Sequence, residues 1–228
     1  MNAPTAPPIL KEVLKPRLRG VLHEYAFFVS LVCGVALILA ASNGRARVAA
    51  IIYAVAVSGL LGTSALYHRV TWRPATRRWM RRLDHSMIFV LIAGTYTPVA
   101  LLALKGSLAR VILIVLWAGA LVGVLFKLLW IDAGRSSIGK WLFAAVYVAL
   151  GLVTAAVFGE LPAAIGWLGA AGLAIGGLLY VVGAVVYASG RPNPWPKVFG
   201  YHEVFHTLVL VAAALQYAVI AFAVLPRG

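Results

Sequence analysis

Residues 108–130 read LARVILIVLWAGALVGVLFKLLW, twenty-three positions with only Arg110 and Lys127 charged. No strand runs that long, and a helix of this length spans about the hydrocarbon thickness of a bilayer. Working outward, the same kind of run recurs at 21–42, 48–68, 84–104, 139–158, 163–188 and 200–225. The separators carry breakers or charge: Ser42-Asn43-Gly44-Arg45, residues 69–83, Lys105-Gly106-Ser107, residues 132–137, Gly159-Glu160-Leu161-Pro162, and residues 190–197 with three prolines. The pattern predicts an all-α integral membrane protein of seven transmembrane helices. It divides into a loose, proline-bearing tail (1–20) and a helical domain (21–228). The run at 21–42 is too long for a cleaved leader and is followed by six more, so it reads as a retained signal anchor.

Composition agrees. Of 228 residues, 63% are hydrophobic and 11% charged, and the mean hydropathy is +0.95. A soluble domain of this size could not bury so much apolar surface in one core. Disorder is excluded by the hydrophobicity, and a β-barrel by the continuous rather than alternating runs. The net charge of +14 comes from twenty Lys+Arg against six Asp+Glu. These cations lie mostly between apolar runs, which indicates membrane topology and anionic headgroups rather than nucleic acid. Fifteen fall on one side: Lys11, Lys15, Arg17, Arg19, the six arginines from Arg69 to Arg82, Lys127, Arg135, Lys140, Arg191 and Lys197. Five fall on the other: Arg45, Arg47, Lys105, Arg110 and Arg227. The positive-inside rule puts the fifteen in the cytoplasm, so the N-terminus is expected inside, the C-terminus outside, and the protein in the cell (inner) membrane. The single cysteine, Cys33, allows no intrachain disulfide. No internal repeat supports an inverted-repeat transporter.

Ionisable side chains in membrane helices are costly and mark function. His202 and His206 are four apart and share a helix face; His68 ends the second span; Asp84 opens the third. All three helix ends are expected at the cytoplasmic side, so topology alone brings two His helices and an Asp to one depth. Three imidazoles with an open fourth position for water make a catalytic zinc arrangement. A carboxylate such as Asp84 can hold that water and take its proton. Ser64 lies one helical turn before His68, so its hydroxyl reaches the same pocket. Glu203, next to His202, and His85, next to Asp84, are candidates to support these residues from behind. His23 and His85 otherwise read as headgroup contacts, Asp84 also as a helix N-cap, and Thr95-Tyr96-Thr97-Pro98 as a kink whose hydroxyls satisfy freed carbonyls.

His202-Glu203-Val204-Phe205-His206 also fits H-E-x-x-H, a metalloprotease signature with Glu203 as base. An intramembrane protease of that type would want a carboxylate ligand within Leu-Asp-Gly. Here the chain has Leu83-Asp84-His85, and it supplies a third histidine that the scheme does not need.

Ser64-Ala65-Leu66-Tyr67-His68, Leu83-Asp84-His85-Ser86, Ile92-Ala93-Gly94-Thr95-Tyr96-Thr97-Pro98, and residues 196–206 (PKVFGYHEVFH) together resemble the bacterial hemolysin III proteins. These group with the progestin and adipoQ receptors and, more distantly, the alkaline ceramidases. The resemblance runs from about residue 20 to the end. It implies a zinc held by His68, His202 and His206, with Asp84 on the zinc water and Ser64 beside it. From this follows an expected function: a zinc-dependent membrane hydrolase of a lipid amide or ester, with membrane lipid as partner and anionic headgroups at the cytoplasmic face. The competing readings are a non-catalytic zinc-containing sensor or receptor and a pore-forming or lytic protein. The last predicts a polar stripe along several helices, whereas the polar residues cluster at one end.

Overall fold

The computed structural model describes residues 16–129 and 137–228. Seven helical spans among the described residues are long and apolar enough to cross a membrane: α1 (Val21–Leu39), α2 (Gly44–Arg69), α3 (Pro74–Pro98), α4 (Gly106–Leu129), α5 (Ser137–Leu152, continued by a 3-10 turn over Val153–Val157), α6 (Leu161–Ser189) and α7 (Tyr201–Val219). Among the described residues there is no named strand, only an isolated bridge between Trp195 and Phe199. Residues 1–15 and 130–136 lie outside the description. With them lie most of the expected tail, Lys11, Lys15 and Arg135 of the charge count, and most of the expected turn at 132–137.

Local chemistry explains the ends. Asn43 caps α2, its side-chain oxygen accepting from the N–H groups of Arg45 (2.9 Å) and Ala46 (3.0 Å). At α7 the Glu203 carboxylate reaches back to the Gly200 N–H at 2.8 Å, half of a capping box. Pro98 ends the regular part of α3, and the backbone widens into a π turn at Val99–Ala103. Just before it, the Thr97 hydroxyl donates to the Ala93 carbonyl (2.7 Å) and accepts from Trp117 Nε1 (3.1 Å). A second π turn, Ile220–Val224, extends α7.

The third helix differs from expectation. The basic stretch read as a loop is helical from Pro74, so α3 starts ten residues before Asp84. Pro74 is pre-set for a first helical position, and Arg, Met and Leu after it are good helix formers. Asp84 is therefore the eleventh residue of α3 and not its N-cap; Arg73 holds that place. Lys127, counted as a loop cation, is a buried residue of α4 whose Nζ lies 3.1 Å from the centre of the Phe143 ring.

α1 to α4 pack in sequence, α5 packs on α6, and α6 on α7. α7 returns to the first helices: the Tyr217 hydroxyl donates to the Cys33 carbonyl on α1 (3.0 Å) and the Tyr53 hydroxyl of α2 to the Ala213 carbonyl (3.4 Å). Phe89, Leu116, Leu161 and Leu173 form the main core. The outside is apolar too, with Leu168, Phe222 and Trp167 fully presented, as suits a surface whose solvent is lipid. This topology places the end of α2, the first half of α3 and the start of α7 side by side.

Candidate metal centre

His68 sits in the last turn of α2, and His202 and His206 occupy the first two turns of α7; all three are buried. Each offers one ring nitrogen, and these three atoms lie within 4.8 Å of one another. His202 Nε2 and His68 Nε2 are 3.1 Å apart, and the rings of His68 and His206 are centred 5.1 Å apart. Three converging imidazole nitrogens in an apolar surround are a donor set that could hold a metal ion. Asp84 Oδ2 lies 3.9 Å from His68 Nε2. The carboxylate is buried, as is Ser64, one helical turn before His68 on α2.

The supporting candidates go separate ways. Glu203 turns from the cluster: its carboxylate accepts from Arg19 Nε and from the Gly200 N–H. It is thus a helix cap and an ion-pair partner, buried to 1% exposure. The segment before α1 is held to the loop before α7 by further bonds, the Arg17 and Leu18 N–H groups donating to the carbonyls of Lys197 and Val198, both at 3.1 Å. His85 faces α6, its Nε2 lying 3.4 Å from the Tyr187 hydroxyl, while its carbonyl accepts from Tyr147 at 3.0 Å.

His23 is the residue that sequence reading misplaced. It is no headgroup contact: it is 2% exposed and stacks flat on His206, ring centres 3.8 Å apart and planes 5° apart. Neither of its ring nitrogens has a hydrogen-bond partner. The signal was present, since α1 begins at the same end of the bundle at which α2 ends and α7 begins. Gly20 lets it in. Its φ of +81° is left-handed, and an added Cβ would stand 2.6 Å from His68 Cβ.

The cluster opens into a cavity of about 370 Å³ running into the bundle, with Asp84, Ser64, His202 and His206 at one end and aliphatic and aromatic side chains along most of its wall. That volume and lining suit a small apolar ligand or part of a longer one.

Residues 11–217 match the model of a family described as Haemolysin-III related. The chain belongs to the haemolysin III family. It is similar to a hemolysin-3 homolog of Bacillus subtilis (strain 168), 33% identical over 206 residues that cover 89% of this chain and 91% of the relative. It is 30% identical to a hemolysin-3 of Bacillus cereus over 214 residues, covering 92% and 91%. More distantly, it resembles the human monocyte to macrophage differentiation factor, 26% identical over 175 residues, covering 75% and 68%. With seven apolar helices, this haemolysin III member is a multi-pass membrane protein.

Proposed function

We propose that this haemolysin III protein is a zinc-dependent hydrolase of a lipid amide or ester, seated in the cell membrane with the metal end of the bundle toward the cytoplasm. The observation that carries the reading is the juxtaposition of three converging imidazoles with a buried carboxylate at the head of an apolar cavity. His68, His202 and His206 would hold the zinc; when bound there, zinc supplies Lewis acidity and lowers the pKa of a coordinated water to about 7. Asp84 stands beside His68 but outside the group of three mutually close ligand atoms. That position supports a base acting on water more than a fourth ligand closing a structural site.

In hydrolysis the C–N or C–O bond of the acyl group breaks, water oxygen joins the acyl carbon, and one water proton goes to the leaving nitrogen or oxygen. Asp84 takes that proton and returns it to the leaving group. Ser64 lines the same cavity as Asp84, and its hydroxyl is placed to steady the developing oxyanion. His23 backs the His206 ring and fixes its plane. The apolar cavity takes the acyl chain, and exposed Arg73 and Arg78 at the start of α3 meet anionic headgroups.

The protease-type alternative places the base at Glu203, and its capture by Arg19 and Gly200 argues against that. The test is hydrolysis of a panel of ceramides, N-acyl lipids and phospholipids in detergent. Asp84→Asn should keep the metal and lose roughly 10²–10⁴ in turnover, while Glu203→Gln should retain most of the turnover of what folds. Wild-type rate in Asp84→Asn with Glu203→Gln inactive overturns the mechanism. Zinc-loaded protein that cleaves nothing favours the sensor reading instead.

A further inference from the structure

The far end of the cavity is not greasy. Three polar atoms with no hydrogen-bond partner belong to residues of its wall, on three helices: Thr95 Oγ1 on α3, Tyr180 Oη on α6 and Gln216 Oε1 on α7. All three residues line the cavity, and Thr95 and Gln216 are 3% and 1% exposed. Their depths agree. Thr95 is eleven residues past Asp84 and Gln216 ten past His206, which places both about 15 Å from the metal end at 1.5 Å per residue. Tyr180, on the oppositely directed α6, is seven residues before Tyr187, about 10 Å in; Tyr187 itself lies beside His202 and His85. The Gln216 amide is pinned independently, its Nε2 donating to the Leu173 carbonyl at 3.2 Å. Gly176 makes its room, since an added Cβ would lie 2.5 Å from that Nε2.

An orphaned buried hydroxyl or amide oxygen is costly, and three in one pocket without a partner is a defect that no fold needs. Apolar side chains of the same shape would remove it. The group is two hydroxyls and one acceptor oxygen, able both to donate and to accept, and uncharged. It therefore matches a neutral hydroxyl and not an anion or a cation.

We infer that Thr95, Tyr180 and Gln216 form a second polar subsite, which binds a hydroxyl carried partway along the chain of an acyl ligand whose head lies at the His68–His202–His206 end. The inference rests on the lipid reading of the cavity and names the substrate class within it: hydroxylated acyl chains over plain ones. Selectivity follows from the same asymmetry that makes the orphans costly. A plain chain leaves the three oxygens unpaired, whereas a hydroxylated chain pairs at least one of them.

The experiment is equilibrium binding to the purified full-length protein in detergent, with radiolabelled oleic acid and ricinoleic acid as probes, which differ by one mid-chain hydroxyl. Ricinoleic acid should bind roughly five- to fiftyfold tighter. Tyr180→Phe and Thr95→Val each keep the shape of the wall. Each should shrink that preference toward one, and neither should weaken oleic acid binding as much as ricinoleic acid binding. Equal affinity for the two acids in the wild-type protein overturns the inference, as does a preference undiminished in both variants. Binding needs no turnover, so the two readings fail separately. A hydroxyl preference in a protein that hydrolyses nothing leaves the subsite standing without the hydrolase, and hydrolysis with no such preference does the reverse.

Discussion

Glu203 shows what a motif can and cannot tell. H-E-x-x-H is real as a spacing, and its two histidines do share a face toward His68. The glutamate between them is claimed by Arg19, 184 positions away in the chain, and by the Gly200 N–H. A contact as remote as that with Arg19 is invisible to any local pattern, so the role of Glu203 as an ion-pair partner was not legible, whereas its cap on Gly200 three residues back is local. His23 was legible only through topology. The meeting of His68, His202 and His206 near Asp84 was legible because intramembrane ionisable groups are so costly that few are tolerated without a task. The Arg19–Glu203 pair carries a prediction. Glu203 is nearly inaccessible, so Arg19→Ala strands a buried carboxylate and should destabilise by about 3 kcal/mol. The check is the apparent Tm in detergent: a clear fall for Arg19→Ala, and a smaller one for the double variant Arg19→Ala with Glu203→Gln, in which no buried charge is left over.

Among the elements, the seven helices could be counted from the chain because each apolar run is long and each break is chemical. The start of α3 could not. Residues 74–83 carry four arginines, and hydropathy reads such a stretch as loop, while helix propensity and Pro74 make it a helical extension that Arg82 ties to the end of α4 through the Leu128 carbonyl (3.1 Å). The π turns after Pro98 and Val219 depend on packing against neighbours and leave no periodic trace. The entry to α1 is the element most tightly bound to the site. Gly20→Ala meets both a left-handed backbone and the His68 Cβ, and about 1–3 kcal/mol of strain follows from the backbone alone. Moving a ligand histidine should also weaken metal binding by roughly 10- to 100-fold. Competition with a chromogenic chelator measures this directly; unchanged affinity in a folded Gly20→Ala protein would show that the entry segment does not position His68.

At the scale of the whole molecule, charge and fold make one claim about orientation. The clustered arginines of α3 and the histidine site share one end of the bundle, and the positive-inside rule faces that end to the cytoplasm. A reporter active only in the cytoplasm, fused after Gly228, should therefore be silent, and a strong signal would invert the protein and move the site to the opposite face. Two helices far apart in sequence, α2 and α7, meet at His68, His202 and His206, and the proposed catalysis requires that these residues hold an ion. The most direct measurement is elemental analysis of the protein purified without added metal or chelator, beside the folded His68→Ala, His202→Ala and His206→Ala variants. The wild-type protein should carry about one zinc per chain, and each variant should lose most of it. Wild-type protein without zinc, or variants that keep their full complement, would contradict the metal assignment.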